Sequence, residues 1–302
     1  MRVLVTGGAG FIGSHVVEAL VARMDEVVVV DSLATGRREN VPAGVELRVQ
    51  DVREPLDELF QEARPEAVIH LAAQVDVRRS VAEPVEDADV NVLGTVRVLE
   101  AARRHGDGQV IFSSTGGVIY GECDGPALET APLVPSSPYG VSKLAAEEYL
   151  RAYNRLYGSK HVALRYGNVF GPRQDPHGEA GVVAIFLGAL ASCEAPVIFG
   201  EGTQTRDYVY VGDVARATLA SLGHEGNVFN VGTGRETSVL ELFELCRRVA
   251  GSELAATHAP ARTGELARSA LDPSRAAHEL SFSAFVELED GLRSTWEWIQ
   301  RA

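Results

Sequence analysis

Residues 6–15 read TGGAGFIGSH. They follow RVLVT (2–6), a short apolar β-branched run, and open a helical pattern over 11–23, so Gly7, Gly10 and Gly13 fall at three-residue spacing across a strand-to-helix junction. Glycine there lets the backbone turn tightly and approach a pyrophosphate, whose charge rests on free amides at the positive end of the helix dipole. A glycine triplet alone also describes a plain strand–helix turn. Two features raise it: it lies at the start of the chain inside a βα unit, and the next strand, EVVVV (26–30), ends in Asp31. A carboxylate about 20 residues on accepts both ribose hydroxyls of NAD and repels the 2′-phosphate of NADP. Arg37 and Arg38, close behind, either soften that preference or are solvated loop charges.

The same rhythm continues outward. VELRV (45–49), AVIHL (67–71), QVIFS (109–113) and HVALR (161–165) are apolar on both faces, and helical patterns run over 55–62, 84–105 and 138–157. Such runs suit parallel strands covered by helices on both sides, giving an α/β, Rossmann-type doubly wound parallel sheet. After about residue 166 the pattern becomes irregular, with a Gly-, Pro- and Asp-rich loop over 171–181, a helix near 181–193 and short elements beyond. We expect a Rossmann domain over 1–165 and a smaller, loop-rich substrate domain over 166–302. Some of the latter's segments should return to pack on the first domain, over the carboxyl ends of the strands. Asp51-Val52, after the third strand, is placed to hold an adenine amino group, or Asp51 merely caps a turn.

A net charge of −14 over 302 residues opposes nucleic acid or an anionic membrane as the main partner. Any anionic ligand must then be held by local groups. Cys123, Cys193 and Cys246 show no paired spacing, which argues against a disulfide framework or a zinc site and for a reducing cytoplasm. No export signal and no membrane-spanning run is read.

SPYGVSK (137–143) holds one of the chain's two lysines, four residues after a tyrosine. Pro138 suits the first helical position with Ser136 or Ser137 as cap, so Tyr139 and Lys143 fall at i and i+4 on one helix face. Bringing a tyrosine from about 10 to about 7 needs roughly 4 kcal/mol of preference for phenolate. A helix N-terminus supplies at most about 2 kcal/mol. A cation ~4–5 Å away supplies about 3–4 kcal/mol. Lys143 together with a positive nicotinamide is therefore expected to make Tyr139 a base at neutral pH. The fifth strand runs out as QVIFSSTGG (109–117), placing Ser113, Ser114 and Thr115 on the cofactor rim. There Thr115, or next Ser114, relays a substrate proton, unless the hydroxyls merely end the strand.

These residues resemble the extended short-chain dehydrogenase/reductase family, and within it the nucleotide-sugar epimerases related to UDP-glucose 4-epimerase. The ordered matches are TGGAGFIGSH, DSLATG, QDVRE, HLAAQVDVRRS, NVLGT, FSSTGGVIYG, SPYGVSKLAAE, LRYGNVFGPRQ, VIFGEGTQTRDYVYVGDVA, FNVGTG and ARTGEL. The resemblance implies NAD contacts from Gly7, Gly10, Phe11, Ile12, Gly13, Asp31, Ser32, Leu33, Thr35, Gly36, Asp51 and Val52. It adds Leu71, Ala72, Ala73, Gln74, Asn91, Ser113, Tyr139, Lys143 and Tyr166. It implies that Val75, Thr115, Tyr139, Asn168, Val182, Val183, Val197, Ile198, Phe199, Arg206 and Arg262 meet the nucleotide sugar, the arginines holding its diphosphate by guanidinium forks.

Related dehydratases and decarboxylases carry carboxylates just after the active hydroxyl. This chain has Gly116-Gly117, so elimination lacks its acid and base. The expected activity is 4-epimerisation of a UDP-hexose by transient oxidation at C4 to a 4-keto sugar and re-reduction on the other face, with tightly held NAD. UDP-glucose/UDP-galactose is the default. UDP-glucuronate and UDP-N-acetylglucosamine stay open; Arg78, Arg79 or Arg173 could in principle meet a C6 carboxylate, though a surface or phosphate role suits each better. A nucleotide-sugar dehydratase, a 4-keto-sugar reductase and a silent NAD-binding regulator are the rivals. The helix at 84–105 carries Val85, Ala88, Val90, Val92, Leu93, Val96, Val98, Leu99 and Ala102, a stripe wider than one core face requires, which suggests a homodimer or a broad face covered within the monomer.

Overall fold

The computed structural model describes residues 1–106, 108–176, 181–262 and 265–301. The loop expected over 171–181 and the ARTGEL stretch therefore lie partly outside the described residues. The first half alternates strand and helix: β1 (Arg2–Thr6), α1 (Phe11–Ala22), β2 (Glu26–Asp31), β3 (Glu46–Val49), α2 (Asp57–Ala63) and β4 (Ala67–His70). Then come α3 (Val77–Ala82), α4 (Pro84–Ala88), α5 (Gly94–Arg104), β5 (Gln109–Thr115), α6 (Pro138–Tyr157) and β6 (Val162–Tyr166).

The second half brings β7 (Asn168–Phe170), α7 (Val182–Ala191), β8 (Val197–Phe199), β9 (Thr205–Arg206), β10 (Tyr208–Tyr210), α8 (Val211–Ala220) and β11 (Val228–Val231). It ends with β12 (Thr237–Ser238), α9 (Val239–Ala250), β13 (Thr257–Ala259), β14 (Arg268–Ser269), α10 (Ser274–Glu279) and α11 (Leu288–Ile299). Among the described residues the main sheet has seven strands in the order β11-β6-β5-β4-β1-β2-β3, all parallel.

Alternation along β1 shows why the strands are apolar throughout. Val3 and Val5 join one cluster with Val16, Val17 and Leu20 of α1, Val214 and Ala217 of α8, and Phe229 of β11. Leu4 joins the other, with Phe60 of α2, Leu99 of α5 and Leu150 of α6. Successive side chains point to opposite faces, and each face is covered by helices. A third cluster holds the smaller lobe together around Phe186, Leu190, Leu242 and Phe243.

Two helical features differ from the sequence reading. The helix expected over 84–105 is interrupted by a π-helical turn, Asp89–Leu93, between α4 and α5. Such single turns insert one residue into the helical ladder and re-aim the side chains they carry, here Asn91. The short α3, capped by the Asp76 side chain accepting from Arg79 N, was not anticipated. Among the described residues no helix is long and apolar enough to cross a membrane.

Candidate active site

The loop between β1 and α1 is built around missing side chains. A Cβ on Gly13 would lie 2.1 Å from the Gly7 carbonyl oxygen, so only glycine lets the first turn of α1 pack so close to the strand end. Gly7 has φ +70, and a Cβ there would meet the Ala72 nitrogen at 2.7 Å. Gly10 is the N-cap without a side-chain cap, so the first-turn amides of α1, at Phe11 and Ile12, are left for an anion. Asp31 is buried at the end of β2, its Oδ2 accepting from Ala9 N (3.0 Å) and its Oδ1 from Leu33 N (2.8 Å). Gly36 lies against this carboxylate, where a Cβ would come within 2.7 Å of Oδ1. Ser32 and Thr35 are exposed beside it, as are Arg37 and Arg38. A side-chain-free cradle followed by a carboxylate at the neighbouring strand end fits a dinucleotide of the NAD type.

The floor of this region follows β4. Ala72 N donates to Thr6 Oγ1, and Leu71, Ala72, Ala73 and Gln74 are half-buried. Asn91, expected as a cofactor contact, turns inward instead. Its carboxamide accepts from Gln74 N (3.0 Å) and donates to Gln74 O (2.9 Å) and Asp87 Oδ1 (3.0 Å), so it shapes the loop. The side chains of Val52 and Tyr166, likewise expected at the cofactor, are buried. Val52 sits against Gly94, and the Tyr166 hydroxyl meets Thr218 Oγ1 at 3.0 Å. Asp51 remains accessible, accepts from Arg53 N and is clasped by the Arg53 guanidinium (2.7 Å), which holds its carboxyl below the usual range.

The start of α6 matches the sequence expectation. Ser137 accepts from Gly140 N (3.2 Å), Pro138 takes the first position, and Tyr139 N donates to Ser80 Oγ (3.1 Å). Lys143 Nζ lies 5.8 Å from the Tyr139 ring centroid and 4.8 Å from that of Phe112, and donates to Ser113 O at 2.9 Å. Burial lowers the Lys143 pKa to about 8, against the raising effect of Asp87 and Glu147. The expectation that Lys143 and a positive nicotinamide together make Tyr139 a base concerns the cofactor-bound protein; Lys143 by itself does not offset the groups around the phenol. Burial, and then the Asp87 carboxylate, push the phenol well above its ordinary value.

Strand alternation separates the three rim hydroxyls. Ser114 points into the protein and donates to Glu147 Oε1 at 2.6 Å, which leaves it no proton for a relay. Thr115 stays on the open side. A Cβ on Gly117 would stand 3.8 Å from both Thr115 Oγ1 and Asn168 Oδ1, so these two side chains face one gap. Gly116 has no room for a side chain, since its Cβ would lie 2.4 Å from Leu271 Cδ2.

Sequence reasoning missed the support beneath this rim. Glu147, one turn beyond Lys143, forms a doubly hydrogen-bonded pair with Arg165 of β6 (2.9 and 2.6 Å), and Arg165 in turn donates to the Tyr120 hydroxyl (2.7 Å). Asp87 accepts from Gln74 Nε2, Asn91 Nδ2 and Ser142 Oγ. The available signal was the i, i+4, i+8 register of Tyr139, Lys143 and Glu147.

In the smaller lobe, Arg262 stacks on the Phe199 ring, Cζ to centroid 3.9 Å. Arg206 pairs with Glu265 (3.2 Å), whose amide donates to the Arg262 carbonyl, so both arginines converge on one loop. Val182 is half-buried, and Val75 and Val197 are exposed. Val183 and Ile198, expected at the substrate, are each 1% exposed within the lobe's core and support their neighbours from behind. Arg79 is paired with Glu86 and Glu83, and Arg173 with Glu18; Arg78 is exposed on α3.

A model of the "NAD dependent epimerase/dehydratase family" matches residues 3–232. The UDP-glucose 4-epimerase of Mycolicibacterium smegmatis is 44% identical over 309 residues, covering 99% of each chain. The crystal structure of UDP-glucose 4-epimerase with UDP-glucose from Thermotoga maritima superposes with a TM-score of 0.98 at 45% identity, over 100% of this chain and 99% of that one. The UDP-glucose 4-epimerase complex with NAD from Thermus thermophilus gives 0.95 at 48% identity, over 100% of both chains.

Proposed function

The chain belongs to the NAD dependent epimerase/dehydratase family, and on that premise we propose that it is an NAD-dependent UDP-hexose 4-epimerase interconverting UDP-glucose and UDP-galactose. The observation that carries this reading is the rim after Thr115. Tyr139 and Lys143 stand beside a dinucleotide cradle, yet neither Gly116 nor Gly117 offers a carboxylate, and Leu271 leaves no room for one at Gly116. Proton abstraction at a hydroxyl is provided for, and elimination is not.

Tyr139 accepts the proton of the C4 hydroxyl, through or beside Thr115, and returns it once the opposite face of C4 has been presented. Held by the glycine cradle and Asp31, NAD would provide a reversible hydride acceptor for C4, so that none would be consumed. Lys143, fixed by the Ser113 carbonyl, keeps a positive charge beside the phenol. Arg206 and Arg262 anchor the diphosphate while the 4-keto sugar turns, with Asn168 and Phe199 beside it. Arg206 is held in place by Glu265 at 3.2 Å and by the Thr205 carbonyl.

We propose further that two copies pair through the exposed apolar residues Val85 and Leu93 and, on α6, Val141, Leu156 and Tyr157. Free Cys123, Cys193 and Cys246 support a cytoplasmic location.

Proton NMR of the anomeric region, with each UDP sugar and no added cofactor, tests the reading. Inversion of UDP-glucose at C4 is expected. Steady accumulation of NADH absorbance with excess NAD would instead mark a net oxidoreductase, and inversion of only the N-acetylated sugar or the uronate would reassign the substrate.

A further inference from the structure

Asp87 is 1% exposed on α4, and among the described residues its hydrogen bonds come from three neutral donors: Gln74 Nε2 (3.0 Å), Asn91 Nδ2 (3.0 Å) and Ser142 Oγ (2.6 Å). A buried carboxylate is costly without a compensating positive charge, and none of those donors carries one. Ser142 immediately precedes Lys143 on α6, and Gln74 ends the loop that lines the cradle floor. One carboxylate therefore ties the helix of Tyr139 to the loop beneath the dinucleotide. We infer that Asp87 is a positioning residue for proton transfer at Tyr139, fixing one negative charge where the Tyr139–Lys143 helix is tied to the cradle floor.

The electrostatics agree with this geometry, since Asp87 acts on both groups and raises each. The other groups facing Lys143 are Glu147 on α6, which also raises its pKa, and His70 on β4. Burial holds the His70 pKa at about 3, so it is neutral, with its ring nitrogens on Thr6 Oγ1 and Thr95 Oγ1. Glu147 is compensated by Arg165. The opposite charge that faces Asp87 is thus Lys143 itself, and the pair Asp87–Lys143 is neutral as a unit. Deprotonating Tyr139 against it is unfavourable, and the positive charge of an oxidised nicotinamide, when bound in the cradle, would act in the opposite direction.

This inference rests on Tyr139 being the base of the proposed 4-epimerase. The test is titration of the phenolate band in the NAD-loaded enzyme, with Tyr139→Phe as the background in each case. Asp87→Asn keeps the shape, and Ser142 can reverse its hydrogen bond. Its Tyr139 midpoint should fall by about one pH unit, whereas Ser142→Ala, which keeps the charge, should leave it in place. An unmoved or raised midpoint in Asp87→Asn, or an equal fall in Ser142→Ala, overturns the role. If Asp87→Asn does not fold, carbon NMR of the wild-type Asp87 carboxyl decides: an inflection at the Tyr139 midpoint is expected, and its absence is fatal to the inference. C4 inversion by the wild type is followed in parallel. If the wild type inverts C4 but the phenol does not respond to Asp87, only this inference fails; without inversion the assigned reaction fails.

Discussion

Glu147 and Arg165 meet with neither side chain exposed, joined by hydrogen bonds of 2.9 and 2.6 Å between the helix that carries Lys143 and the strand beside Thr115. The pair fixes α6 in register against β5 and β6, because Ser114 of β5 donates to the same carboxylate. Glu147→Ala leaves Arg165 buried without its partner and should cost about 3–5 kcal/mol in urea unfolding. The double replacement Glu147→Leu, Arg165→Met removes both charges and should regain much of that loss.

Tyr139→Phe should lower turnover by about 10²–10⁴-fold, the usual reach of general acid–base catalysis, with NAD retention unchanged. Turnover is read as C4 inversion and retention as cofactor co-eluting with the protein. Near-normal inversion would remove Tyr139 from its assigned role.

The Lys143 pKa, lowered to about 8 from 10.5 by burial, predicts opposite pH trends for stability and activity. Below about 8 both folded and unfolded chains hold the proton, and the desolvation cost is carried in full. Between there and 10.5 the unfolded chain binds a proton that the folded one has released, so this group's contribution to stability improves as pH rises. Activity should decline over the same window as the ammonium is lost. Lys143→Met should show no such gain in urea midpoint; an identical pH profile in wild type and variant contradicts the assignment.

Asp31→Ala removes the carboxylate that Ala9 and Leu33 amides hold at the end of β2. Hydrogen bonds to a charged group are worth about 1.5–3 kcal/mol, so NAD should bind about 10–100-fold more weakly by equilibrium dialysis. Discrimination against NADP should fall with it.

Leu93→Arg combined with Leu156→Arg places charge on the apolar helical surface. Light scattering should then report a monomer, against the dimer expected for the wild type, with little change in thermal midpoint. A wild type that is monomeric at micromolar concentration rules the pairing out.

Local features of the site were legible in the sequence because their causes are local. Gly7, Gly10 and Gly13 report a turn, Asp31 a strand end, and Ser137-Pro138 a helix start that places Tyr139 and Lys143 together. Asn91 and Asp87 were not, since their roles depend on the π-helical turn and on contacts with Gln74 and Ser142 far along the chain. Glu147 and Arg165 each look like an ordinary helix or strand charge until the fold brings them together. For Tyr139 the cation at i+4 can be counted from sequence, whereas the burial and the opposing carboxylate that raise the phenol in the protein alone are tertiary facts. Val52, Tyr166, Val183 and Ile198 lie within site-bearing segments but face inward, a distinction that depends on the packing of whole layers.

The seventh strand has a consequence for synthesis. β6 pairs with β11, which is made only after β7, α7, β8 and the rest of the intervening lobe have left the ribosome. Until then the nascent chain carries a hydrophobic strand with one row of amides and carbonyls bare, the kind of edge that recruits strangers. Translation that pauses between residues 166 and 228 should therefore be hazardous, and premature termination there should yield aggregates instead of a free-standing cofactor-binding fragment.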